Sequence, residues 1–151
     1  MEFPIIEETE EEQQINFFFE DAIFTIPDED QLSGWLLKAA QAEQRDVSEI
    51  NYIFCSDEHL RKINIEFLDH DYYTDVITFP YDSQHIHGDV FISHDRVREN
   101  AASAGVTFER ELSRVMVHGL LHLAGYDDKQ PEDKIRMTER EDFHLDHCTF
   151  C

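Results

Sequence analysis

The chain has 151 residues, of which 41% are hydrophobic, 30% charged and 12% aromatic. That is enough to bury a core without disulfide staples. Its 34 Asp and Glu outweigh 12 Lys and Arg, for a net charge of −22, which excludes a generic basic nucleic-acid binder. No run of 18 apolar residues crosses a membrane and no secretory signal is visible. Three cysteines make no disulfide framework, so a cytoplasmic location is expected. The five glycines form no dinucleotide or P-loop motif.

In chain order, residues 7–12 (EETEEE) form an acidic run that reads as a solvated turn or end. Residues 1–37 hold 11 acids and no Lys or Arg, which leaves a net of −11 over residues 38–151. Residues 14–19 and 22–26, rich in Phe and Ile, read as strands. Pro27 and the acids 28–30 open a helix over roughly 29–44, with Leu32, Trp35, Leu36, Ala39 and Ala40 on its apolar face. Ile50, Tyr52 and Phe54 alternate in a strand, and Ser56 caps a helix to about Phe67. The runs 75–79 and 88–93 predict two further strands. A helix near 94–103 ends at Gly105. Thr107 caps a long helix to about Ala124, and Gly125 stops it. Pro131 opens the last helix. This order predicts a single α+β domain over residues 1–151. It has a mixed sheet of about four to five strands packed against several helices.

The segment His118-Gly-Leu-Leu-His122-Leu-Ala-Gly125-Tyr-Asp-Asp128 carries the chemistry. Two histidines four apart on a helix share one face, the spacing by which a helix offers two nitrogens to one metal. Gly125 lets the chain turn back, and Asp128 is the expected third ligand. Leu120, Leu121 and Leu123 make the stretch apolar, where two unpartnered histidines are costly. Two His and one carboxylate leave an open position for a water, whose pKa a metal lowers to about 7. A zinc peptidase needs a Glu after the first His; Gly119 stands there, and leaves room for a bulkier substrate.

The His block resembles the H-G-x-L-H-L-x-G-Y-D-H signature of the YbeY family of rRNA-maturation endoribonucleases. Asn64…Asp71-Tyr-Tyr-Thr74-Asp75-Val-Ile-Thr-Phe-Pro80 and Gly88-Asp89-Val-Phe-Ile-Ser93 are similar to that family's two upstream blocks. The resemblance implies a small α+β fold with one zinc ion on His118, His122 and Asp128. It also implies cleavage of single-stranded RNA, 3′-end maturation of small-subunit rRNA, and a role in ribosome quality control. Its implied partners are ribosomal RNA, the small subunit or ribosomal proteins, with no membrane and no DNA. Two positions depart from the pattern. Asp128 replaces the last motif His, so another divalent metal such as iron also suits the site. Leu68 replaces an Arg; Arg114, one turn before His118, reads first as a surface residue paired with an acid such as Glu111, with replacement of the missing charge as the alternative.

Asp75 and Asp89 read either as turn or backbone partners or as groups orienting the ligand histidines, and Thr74 as a turn residue or substrate contact. His85 and His87 read as loop and strand residues, with a phosphate contact as the alternative. The His144-Leu-Asp-His147-Cys148-Thr-Phe-Cys151 tail reads as a frayed helix end or a weak metal motif. Eight basic residues between Arg96 and Arg140 flank the site, and folding could gather some into a positive cleft. Weak, salt-sensitive binding of free RNA and better action on ribosomal particles follow. A ribosome-assembly factor with a structural metal is the alternative function.

Overall fold

The computed structural model describes residues 13–21 and 24–151. The acidic run 7–12 lies outside them. The described chain forms one α+β domain with four strands and five helices. In order these are β1 (Gln14–Phe19), α1 (Glu29–Ala42), β2 (Val47–Cys55), α2 (Asp57–Leu68), β3 (Val76–Pro80), β4 (Ile86–Ser93), α3 (His94–Ala104), α4 (Phe108–Leu123) and α5 (Pro131–Asp146). No helix among the described residues is long and apolar enough to cross a membrane.

Local chemistry accounts for the helix starts. Asp28, Ser56, Ser93 and Thr107 each accept a backbone N–H from the first turn they precede, at 2.8–3.2 Å. Each such cap is worth about 1 kcal/mol. Gly105 ends α3 and Gly125 follows α4, with φ of 69° and 106°, the region open to glycine. The expected strand over 22–26 is not formed where the chain is described: residues 24–26 have no strand partner. The chain leaves the sheet at Asp21, whose carboxylate takes the Ser56 N–H and hydroxyl. Phe24 then fills core space edge-on to Phe54 and Phe108, at 5.4 and 5.7 Å.

The sheet order is β1-β2-β4-β3, with β1, β2 and β4 parallel and β3 antiparallel to β4. Side chains alternate across it. Gly88, Val90 and Ile92 of β4 face α4. Phe91, paired with Ile77, faces α2, where Leu60 and Ile63 cover it. Helix α4 is central, packing against β3, β4, α1, α3 and α5. It buries Leu112, Val115, Met116, Leu120, Leu121 and Leu123, and burial of each large side chain stabilises by about 1.5–3 kcal/mol. The buried Tyr52 hydroxyl donates to the Met116 carbonyl at 2.9 Å and so fixes the height of α4 over β2.

Gly119 has a different role from the one its sequence position suggests. A Cβ there would lie 2.7 Å from Val90 Cγ1. The missing side chain lets α4 approach the sheet, and the space it leaves is filled by Val90. Gly119→Ala is expected to cost about 1–3 kcal/mol through overpacking. Gly34→Ala in α1, where a Cβ meets nothing within 4 Å, should instead be neutral or stabilising. Thermal denaturation of the two variants checks the contrast; equal effects would refute the close-approach argument.

The C-terminal tail is docked. Cys148 and Cys151 form a disulfide, so two of the three cysteines pair, contrary to expectation. Phe150 packs edge-on to Trp35, and the Trp35 indole N–H donates to the His144 carbonyl at 2.8 Å.

Candidate metal centre and its cleft

His118 and His122 project from the same face of α4, and the turn after Gly125 brings Asp128 back to them. Their Nε2 atoms are 3.0 Å apart. Asp128 Oδ2 is 3.5 Å from His118 Nε2 and 3.3 Å from His122 Nε2. Three donors on a tetrahedral zinc, with bonds near 2.0–2.1 Å, stand about 3.3–3.4 Å from one another. The observed triangle has that size.

The protons make the case stronger. His122 Nδ1 lies 3.0 Å from the Tyr126 carbonyl, which can only accept, so Nδ1 carries the hydrogen. His118 Nδ1 lies 2.6 Å from Glu141 Oε2, again an acceptor. These tautomers follow from the partners. With Nδ1 as the donor, each neutral ring turns its Nε2 lone pair toward the other and toward the Asp128 carboxylate, a donor set that suits a cation. The side chain of Asp128 is 40% exposed, so the trio opens outward on that side.

Glu141 is the residue that the sequence reading missed. It lies on α5, 23 residues after His118, with its side chain only 6% exposed. Arg114 holds its other oxygen at 3.1 Å. One signal was present: Met137, Glu141 and Leu145 fall four apart on the buried stripe of α5, and an acid in such a stripe needs a partner. Glu43 at the end of α1 is a second case. Its buried carboxylate accepts from the Tyr126 hydroxyl at 2.6 Å, Arg140 at 2.7 and 2.9 Å, and His144 at 2.6 Å. The residue whose carbonyl orients His122 is thereby anchored.

The trio opens onto a cleft of about 500 Å³ between α4, β3 and the end of α2. Thr74, Asp75 and Arg114 line it, as does Leu68. Burial pushes the Asp75 carboxyl up, against the pull of Arg114 and His118. Thr74 donates to the Val76 carbonyl, a local turn bond. Arg114 is paired with Glu111 at 2.8 Å, which with Glu141 pushes its pKa up and keeps it charged. Its guanidinium thus does not stand free to replace an Arg at position 68.

Two expectations are corrected, that Asp89 orients the ligand histidines and that the basic residues form a positive cleft, while His85 and His87 are loop and strand residues as expected. Asp89 does not reach the metal trio: it pairs with Phe79 on the sheet face opposite α4, where it accepts from Asn51 at 3.0 Å and Tyr81 at 2.6 Å. Strand alternation decides this, since Gly88 and Val90 take the other face. His87 shares the Asp89 face, 3.8 Å from Glu49, and His85 pairs with Asp82. Nor do the basic residues gather into a positive cleft. Arg96 pairs with Asp57 and Glu99, and Arg140 with Glu43. Among the described residues Arg114 is the one Lys or Arg in the cleft lining.

Comparison with known proteins matches residues 9–149 to the family model described as endoribonuclease YbeY. A protein of Cytophaga hutchinsonii named endoribonuclease YbeY is 47% identical over 136 residues, covering 89% of this chain and 95% of the relative. One of Flavobacterium johnsoniae with the same name is 44% identical over 138 residues, covering 87% and 99%. A Thermotoga maritima protein solved in solution superposes with a TM-score of 0.65 at 29% identity, covering 89% of this chain and 88% of that one.

Proposed function

The chain belongs to the endoribonuclease YbeY family, and on that premise we propose that residues 1–151 act as one zinc-dependent, single-strand-specific endoribonuclease domain. Its substrate is the 3′ region of small-subunit ribosomal RNA, presented by the small subunit or its proteins in the cytoplasm. Ribosome quality control follows from the same cleavage. The observation that carries this reading is the convergence of three potential ligand atoms, His118 Nε2, His122 Nε2 and Asp128 Oδ2, in the lining of an open cleft.

When bound, a divalent cation acts as a Lewis acid toward water and phosphoryl oxygen. His118, His122 and Asp128 would hold it. Glu141 and the Tyr126 carbonyl keep the two Nδ1 hydrogens and so keep both Nε2 lone pairs aimed inward. Arg114 holds Glu141 in place. The exposure of Asp128 favours this reading over an assembly factor with a closed structural metal. The peptidase reading lacks its general base, since position 119 is Gly and carries no carboxylate.

The test is cleavage of a single-stranded ribosomal RNA fragment by wild type and His118→Ala, each with zinc and with chelator. Loss of a ligand should lower activity more than the roughly 10–100-fold that outer partners of a metal site cost. Chelator should abolish wild-type cleavage. Equal activity of the two proteins would return the reading to the assembly factor.

A further inference from the structure

The cleft has two unlike walls, and the metal chemistry uses only one. The trio and Arg114 line one wall; Leu68, Tyr72, Val76 and Pro80 line the other beside the polar Thr74, Asp75 and Thr78. The second wall comes from residues 64–80, inside a stretch (63–95) that contains no Lys or Arg. Arg114 already faces Glu141 at 3.1 Å and Asp75 at 3.8 Å, besides Glu111. A cation on the trio answers one phosphate. The phosphates on either side of it meet no free positive charge in the cleft lining. Nucleic-acid affinity ordinarily rests on neutralising several phosphates, so here the strand has to be held by something else.

The apolar wall offers it. Of ten large apolar side chains exposed among the described residues, six fall between Ile65 and Tyr81. Tyr72 is 54% exposed and Leu68 42% exposed, and both border the cleft. Tyr72 is also held in place. Its carbonyl accepts from Nδ2 of Asn64 at 3.0 Å, and Asn64 is 1% exposed. Its ring stacks on His70 at 5.3 Å and 23°, with the hydroxyl 3.2 Å from His70 Nδ1. A fixed, half-exposed aromatic ring is the platform on which unpaired bases stack, at little ordering cost to the protein.

We propose that Tyr72, with Leu68 beside it, is a base-stacking subsite: an unpaired nucleobase next to the cut phosphodiester lies on the Tyr72 ring, and this contact holds the strand in place of phosphate pairing. The inference rests on the endoribonuclease reading for the identity of the strand. It explains a single-strand preference, because a paired base has no free face to give. It also replaces the expectation of salt-sensitive binding. Each neutralised phosphate of a single strand adds about −0.7 to the log–log salt slope, so a slope shallower than about −1.5 is expected.

The test measures binding by fluorescence anisotropy of a short, nuclease-resistant 2′-O-methyl phosphorothioate strand to zinc-loaded wild type, Tyr72→Ala and Tyr72→Phe. A matching strand with abasic residues serves as the second probe. Stacking of one base is worth enough for Tyr72→Ala to weaken binding about 5- to 150-fold, with Tyr72→Phe within about twofold of wild type. The abasic strand should bind wild type poorly, and Tyr72→Ala should not distinguish the two strands. Circular dichroism and zinc content, unchanged in both variants, separate this loss from misfolding. Unaltered binding by Tyr72→Ala overturns the proposal. So does a Tyr72→Phe loss as large as that of Tyr72→Ala, which would assign the effect to the phenol–His70 bond. Equal wild-type affinity for both strands overturns it as well. Tyr72-dependent binding without any cleavage of unmodified RNA would keep the subsite and remove the catalytic reading. Cleavage with a KM indifferent to Tyr72→Ala would do the reverse.

Discussion

Glu141→Gln should weaken zinc binding about 10- to 100-fold, the usual cost of losing the outer partner of a ligating histidine. The carboxylate sits 2.6 Å from His118 Nδ1 in a nearly dry position, where its charge is poorly screened. It fixes the tautomer and raises electron density on the ring, which makes Nε2 the better donor. Gln keeps the shape and an acceptor oxygen but loses the charge. It can also turn its NH₂ toward Nδ1 and reverse the tautomer, pointing the wrong nitrogen at the cation. Competition against a chelating dye reads the affinity directly, without any appeal to RNA cleavage. Wild-type affinity in the Gln variant would sink the assignment. Arg114→Ala should show a smaller loss of the same kind, since the variant keeps Glu141 in contact with His118 and loses only the support of its other oxygen.

Glu43→Ala should cost about 3–5 kcal/mol at neutral pH, the range for breaking a buried ion pair by removing one partner. Its side chain is 5% exposed, and the substitution strands the Arg140 guanidinium, the buried His144 and the Tyr126 hydroxyl together. The pH dependence has a definite sign. Burial pushes the Glu43 carboxyl up, but the hydrogen bonds from Tyr126, Arg140 and His144 outweigh it and leave the group below its ordinary value. The folded state thus binds the Glu43 proton less readily than the unfolded chain. That stabilisation is fully present above the ordinary Glu pKa of about 4.3 and fades as pH falls through the lowered one. His144 acts in the same direction. Burial lowers its pKa, so acid favours the unfolded chain below about pH 6.5, the ordinary His value. Urea denaturation of wild type and Glu43→Ala at pH 7 and pH 4 should show a gap that narrows in acid. A gap that widens would contradict the assignment of Glu43 as an ionised acceptor.

The two carboxylates differ from the ligands in how they could be found. His118 and His122 share a helix, and Asp128 follows one turn later, so their meeting is a matter of local geometry. The helix starts at Asp28, Ser56 and Thr107 were legible for the same reason: each cap acts within three residues. The strand expected at 22–26 went astray because Phe24 is apolar in either setting, and a hydrophobic run does not tell a strand from a core plug.

What the sequence by itself determined was the five helices, four of the five expected strands, the α+β class and the His118–His122–Asp128 trio, because short-range spacing and capping place those groups within a turn or two of chain. Only the tertiary structure decided the rest. It put Asp89 on the far face of the sheet and Gly119 against Val90. It set Glu141 behind His118 and brought Glu43 to Tyr126 across 83 residues. It also tied Arg96, Arg114 and Arg140 to acids from other elements, where an open positive cleft was expected. These contacts depend on strand register, helix rotation and the packing of elements far apart in the chain. Charge pairing between elements acts through space and leaves no fixed spacing along the sequence, so a local pattern can show that a buried acid such as Glu141 needs a partner but not which one it takes.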